Sequence, residues 1–106
     1  MASGILGQSA PSATTNTSVY TVPASTLSVV NVNILNRSTS SAALVRLAVA
    51  ATGTPNNAEY LEYDVSIPKS GVLERTGLAL NASKQIVVYA DTADVSVSVY
   101  GIEQAV

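Results

Sequence analysis

The densest run of ionisable side chains in this 106-residue chain is AEYLEYDV, where Glu59, Glu62 and Asp64 interleave with Tyr60 and Tyr63. In a strand, side chains two apart share a face. Tyr60, Glu62 and Asp64 then lie on one side, Glu59, Leu61 and Tyr63 on the other, and Glu62 and Asp64 stand about 7 Å apart along the chain. Two carboxylates at that spacing suit a calcium ion or a general acid and base. They equally suit an ordinary solvated strand end beside a core tyrosine, and no glycine loop or carbonyl cage accompanies them. GVLERTG sets Glu74 beside Arg75, and Arg75 is within reach of Glu62 or Asp64 across a strand pair. The pair is either an intersubunit fork of guanidinium on carboxylate or a salt bridge at the rim, worth about 0 to 1 kcal/mol. Asp91 and Asp94 in DTAD lack the alternating oxygen ligands of a calcium loop and read as a polar turn.

No other stretch supplies a reaction centre. The chain has neither histidine nor cysteine, so the usual general base near neutral pH, thiolates, disulfides and the commonest metal ligands are all missing. A serine nucleophile would depend on Lys69 or Lys84 as its base. The expectation is a protein that is not an enzyme and carries no cofactor or metal. Three Asn-x-Ser sequons, at Asn16, Asn36 and Asn81, match the glycosylation rule. In a chain rich in Asn, Ser and Thr such matches arise by chance. No secretory signal precedes them, and the protein is expected to be intracellular at synthesis.

The elements that must position these residues are strands. Only 11% of the chain is charged, well under the roughly 25% of an average soluble domain, so its surface is built from small polar residues and suits packing against other protein. A net charge of -2 gives no electrostatic footprint for a phosphate backbone or an anionic membrane, and neither nucleic acid nor membrane is expected as a partner. Val, Ile and Thr dominate, and no useful stretch keeps an apolar i, i+3, i+4 pattern.

TLSVVNVNIL turns Val30, Val32 and Ile34 toward a core and Asn31 and Asn33 away from it. SAALVRLAVA repeats the scheme with Ala43, Val45, Leu47 and Val49 inward and Arg46 outward, and DVSVSVYG with Val95, Val97 and Val99 inward. QIVVYA puts Ile86, Val88 and Ala90 on one face and Val87 and Tyr89 on the other, an unusually apolar outer face. Weaker strands are read at TSVYTV, YLEYDV, VLERTG and LAL, separated by turns such as NRSTSS, TGTPNN, PKSG and NASK. About eight short strands predict an all-β antiparallel sandwich, jelly-roll or immunoglobulin-like, over residues 15–106. A closed barrel is the alternative.

Residues 1–14 read as an extended N-terminal arm. Within it Gly-Ile-Leu-Gly offers Ile5 and Leu6 for burial, worth about 1.5 to 3 kcal/mol each. Ordering such an arm costs about 1 to 2 kcal/mol per residue. The arm therefore becomes ordered only by pairing its backbone with a sheet edge or groove, and strand addition to a neighbouring subunit is expected.

The succession GILGQSAPSATTNTSVYTVPA, VNVNILNRS, VRLAVAATGTP, EYLEYDVSIPKSGVLERTGLAL and VSVSVYGIE resembles the small virion structural proteins of tailed bacteriophages, especially those of cyanobacteria. The resemblance spans nearly the whole chain. It implies a β-sandwich present in many copies on the virion, as capsid cement or decoration protein or as a tail component. The partners it implies are the major capsid protein or other virion proteins and further copies of the chain, in a homotrimer or another symmetric oligomer. With Ile5 and Leu6, the contact candidates are Arg37, Arg46, Glu62, Asp64, Glu74 and Arg75. A second reading is a tail, baseplate or fibre component that binds a host glycan. It would use the only aromatic side chains, Tyr20, Tyr60, Tyr63, Tyr89 and Tyr100. Three of them gathered on one exposed face would favour it, and their burial would count against it.

Overall fold

The computed structural model describes residues 2–106. Its strands are β1 (Ser3–Ser9), β2 (Thr17–Thr21), β3 (Thr26–Asn36), β4 (Ala43–Ala50), β5 (Tyr60–Ile67), β6 (Val72–Leu80), β7 (Gln85–Ala90) and β8 (Val95–Ala105), with one 3-10 turn at Asn57–Glu59. They form two antiparallel four-stranded sheets, in the orders β1-β8-β3-β6 and β2-β7-β4-β5, packed face to face as a β-sandwich. Only β4 and β5 are neighbours both in sequence and in a sheet. Every other connection crosses to the opposite sheet.

Period-two alternation fills the space between the sheets. Val30, Val32 and Ile34, Val95, Val97 and Val99, Ala43, Val45 and Leu47, and Ile86, Val88 and Ala90 form one buried cluster, with Val49 packed on it. Each fully buried Val, Leu or Ile contributes about 1.5 to 3 kcal/mol, which makes this cluster the main source of stability. The apolar outer face read in QIVVYA is also real. Val87 points away from the core and is buried all the same, with Ala48 and Ala50, under Tyr60.

The strand count agrees with expectation, but its membership differs. VLERTG and LAL, read as two strands, are one, β6, carried through a bulge in which Gly77 takes a positive φ of 68°. That conformation is open to glycine and imitates a turn signal. The eighth strand is the segment expected to be a separate arm. Ser3–Ser9 pairs antiparallel with β8 of the same chain, so the sandwich begins at residue 3 rather than 15. Leu6 packs against the chain's own core, whereas Ile5 stays 59% exposed. Gly7 shows why the segment fits here. β1 crosses so close over β2 that a Cβ at this position would collide with the Val19 carbonyl oxygen. The expected sheet edge is found, and it belongs to the same subunit.

Bulges are confined to the edges. β3 and β8 pair without a register shift from Thr26↔Ala105 to Asn36↔Val95, and β4 and β7 from Val45↔Ala90 to Ala50↔Gln85. Each pairing that involves an edge strand, β1, β2, β5 or β6, contains at least one shift. Bulges twist an edge and spoil it as a template for another chain's strand, a common device against edge-to-edge polymerisation.

Candidate functional site

Alternation fails in β5, and the failure builds the most distinctive surface of the molecule. Two residues of β5, Tyr63 and Asp64, lie where β4 has one, Arg46, because the register shifts between Val45 and Leu47. Asp64 takes a positive φ of 52° there. Glu62 lies opposite the buried Leu47 and turns toward the sandwich interior, while Asp64 turns out beside Arg46. The two carboxylates expected on one face are therefore on opposite faces, and no shared cation or acid and base pair results.

Each acid of the run has its own role. Glu59 accepts the backbone N–H groups of Asn56 at 2.7 Å and Ala51 at 3.0 Å, closing the loop from β4 to β5. Those donors hold its carboxyl below the usual range. Glu62 accepts from Arg75 Nη1 at 2.7 Å, joining the edge strands β5 and β6 across the two sheets. This is one of the two partners expected for Arg75, met within one chain and across the sheets rather than within a strand pair. Asp64 accepts from Arg46 Nε at 2.7 Å and Nη2 at 3.4 Å, and this bond raises the guanidinium pKa further. Among the described residues, no group of three His, Cys, Asp or Glu is placed to hold a metal ion.

Around Arg46 stand three of the five tyrosines. Tyr89 of β7 lies directly opposite Arg46. The guanidinium carbon is 4.3 Å from the Tyr63 ring centroid and 4.4 Å from that of Tyr89, a double cation-π contact across β5, β4 and β7. Tyr60 meets Tyr63 edge to face, with centroids 4.9 Å apart and planes at 88°. Tyr63 is 56% exposed, and none of the hydroxyls of Tyr60, Tyr63 and Tyr89 has a hydrogen-bond partner among the described residues. The other two tyrosines are engaged. Tyr100 donates to Glu74 at 3.1 Å on the outer face of the other sheet, and this carboxylate raises its pKa.

Tyr20 is buried and shares a 2.7 Å hydrogen bond with Ser28 while donating to Glu103 at 2.5 Å. Burial, then the Glu103 bond, pushes the Tyr20 hydroxyl up to about 12. Glu103 is held below the usual carboxylate range, first by the Tyr20 hydroxyl and then by the Ala2 N–H, with partial burial opposing both. This cluster ties β2, β3 and β8 together and fixes the start of the chain through Ala2 N–H to Glu103 Oε1 at 3.1 Å.

The remaining candidates are dispersed. Arg37 donates to the Ala93 carbonyl at 2.8 Å, holding the β3–β4 turn against the β7–β8 turn. Ile5 shares the outer face of its sheet with Val29 and Ile102. Of the two lysines on which a serine nucleophile would depend, Lys69 has Ser66 three residues before it, a spacing that brings a serine and a lysine together on a helix. Here Ser66 is in extended β5 and the two share no hydrogen bond among the described residues. In the sequence Asn36 stands out only as a sequon and as part of a turn. It is fully buried, its Nδ2 donates to the carbonyls of Ser41, Ile67 and Pro68 at 2.9, 3.1 and 3.2 Å, and its Oδ1 accepts from Ser38 N–H. An Asn directly after an apolar strand and before Arg-Ser is the only signal of this buried role. Compared with known proteins, the chain matches no family model, no curated sequence and no solved structure.

Proposed function

We propose that the protein is a non-enzymatic structural component of a tailed-phage virion, a capsid cement or decoration protein that binds and stabilises the assembled shell. It acts there as a symmetric homo-oligomer, with a trimer the leading form. The observation that carries the reading is the strand order β1-β8-β3-β6 over β2-β7-β4-β5. Its pairs β1·β8, β2·β7, β3·β6 and β4·β5 support reading the sandwich as one long hairpin rolled over itself, the winding of a jelly roll, an architecture of viral capsid and lectin domains. An immunoglobulin sandwich would instead pair the first strand with the second. The resemblance to small phage virion proteins points the same way. The bulged edges direct association to faces and loops, where a cement protein buries area shared between neighbouring capsomers.

The docking of β1 within its own sheet removes the arm as a free staple, and Ile5 beside Val29 and Ile102 becomes the apolar contact offered to a neighbour. Quantifying copies per purified particle tests the reading. Hundreds of copies support a place on the shell, a dozen or fewer move the protein to the neck, baseplate or fibre, and absence from the particle overturns a virion role. Ile5→Ser keeps Leu6 in the core and is expected to weaken binding to shells without changing the fold. Unchanged binding would remove Ile5 from the contact.

A further inference from the structure

We propose that the outer face of β2-β7-β4-β5 is a binding platform for a neutral polysaccharide, centred on Tyr63, Arg46 and Tyr89. The inference goes beyond the virion role and does not depend on it. Three tyrosines converge there, and their hydroxyls are free of partners among the described residues, whereas those of Tyr20 and Tyr100 are taken by Ser28, Glu103 and Glu74. A phenol combines an apolar ring with a group that both donates and accepts. A row of such groups matches a partner that alternates C–H faces with hydroxyls, as a sugar chain does.

The platform is organised before any ligand arrives. Arg46 is gripped by Asp64 through Nε and Nη2 and stacked between two rings, and its Nη1 has no partner among the described residues. Tyr60 braces Tyr63 from the side and rests on the small buried cluster of Ala48, Ala50 and Val87. Little rotamer freedom is left to lose on binding.

Charge selects among sugars. The Arg46 cation is matched by Asp64, and Glu59 closes the adjacent loop, so the face carries no excess of positive charge for sulfated or uronic chains. Tyr63 is exposed and no walled cleft surrounds it among the described residues, which suits an extended polymer lying along the sheet rather than an enclosed monosaccharide.

The test is native electrophoresis in gels cast with dextran, mannan, galactan or hydroxyethyl-cellulose, with alginate as the anionic control. Retardation by at least one neutral polymer, none by alginate, and a loss of about tenfold in apparent affinity for Tyr63→Ala and for Tyr89→Ala supports the platform. Tyr100→Phe, on the opposite sheet, is expected to bind as the unaltered protein does. Tyr63→Phe keeps the ring and removes only the hydroxyl, so an intermediate loss in that variant supports the platform without any question of folding. No retardation in any neutral gel, or retardation that Tyr63→Ala leaves unchanged, overturns the proposal. So does a result in which the face variants lose binding to purified shells while the unaltered protein ignores all the polymers, since the face would then dock protein. Copy number on the particle is a separate readout, so failure of the platform and failure of the virion reading remain distinguishable.

Discussion

The two long rims of the sandwich are closed by different chemistry. Along β1 and β2 the closure is packing and buried hydrogen bonds. Leu6 joins the core, the Gly7 backbone lies against Val19, and Tyr20, Ser28 and Glu103 bridge the sheets. Along β5 and β6, where Val65, Ile67, Leu73, Leu78 and Leu80 also pack on the core, the facing edges are linked by one ion pair, Glu62 with Arg75, whose side chains are 17% and 41% exposed. The first rim draws on apolar burial and desolvated polar groups, where losing one partner is costly. The second adds to its apolar packing a pair that water and salt screen. The difference lies in what links the facing edges, and an inward-pointing charged pair on edge strands also discourages pairing with another chain.

Variants can break this comparison, and the largest effect is expected at Gly7. Gly7→Val sets side-chain atoms against the Val19 backbone and should lower the unfolding free energy by about 3 kcal/mol, read by urea denaturation. Leu6→Ala should cost about 2 kcal/mol, the low end for a core truncation because the side chain is only partly buried. If either variant is as stable as the parent, β1 is not part of the closure.

Tyr20→Phe sharpens the comparison, with an expected cost of about 1 to 2 kcal/mol from the bonds lost at the buried Ser28. Its pH dependence has a sign at each end. The Glu103 carboxyl is held low, so its contribution is full above the ordinary carboxylate range and is lost as pH falls through the folded value. The Tyr20 hydroxyl is raised from 10.0 to about 12, so its contribution is full below pH 10 and is lost as pH rises toward 12. Unfolding measured across pH should therefore give a flatter profile for Tyr20→Phe at both extremes.

The smallest effects belong to the other rim. Arg75→Met and Glu62→Gln should each cost about 0.5 to 1 kcal/mol, shrinking in high salt. A loss equal to that of Leu6→Ala would make the rims equivalent and defeat the distinction.

Legibility followed regularity. The inward sets of β3, β4, β7 and β8 are readable because β3 pairs with β8, and β4 with β7, without a register shift, and a period of two survives along them. Charge pointed Arg75 to Glu62 or Asp64 across a strand pair, and the fold pairs it with Glu62 across the two sheets. In β5 the same rule placed Glu62 and Asp64 together, and a bulge separated them. The arm was misread for a related reason. Gly4, Gly7 and Pro11 are signals of flexible chain, yet the glycine at position 7 is a requirement of close approach. The tyrosine face had no local signature, since Tyr89 lies 26 positions beyond Tyr63 in the chain.

The sequence by itself determined an all-β chain with alternating Val, Ile and Leu, because side-chain alternation is a property of each strand alone. It also determined which chemistry is missing, because no fold supplies an imidazole or a thiol that the chain lacks. Tertiary structure alone decided that the N-terminal strand completes its own sheet and that Arg46 comes to stand between Tyr63 and Tyr89. Strand order and bulges depend on which distant segments meet, and no local pattern of residues encodes that meeting.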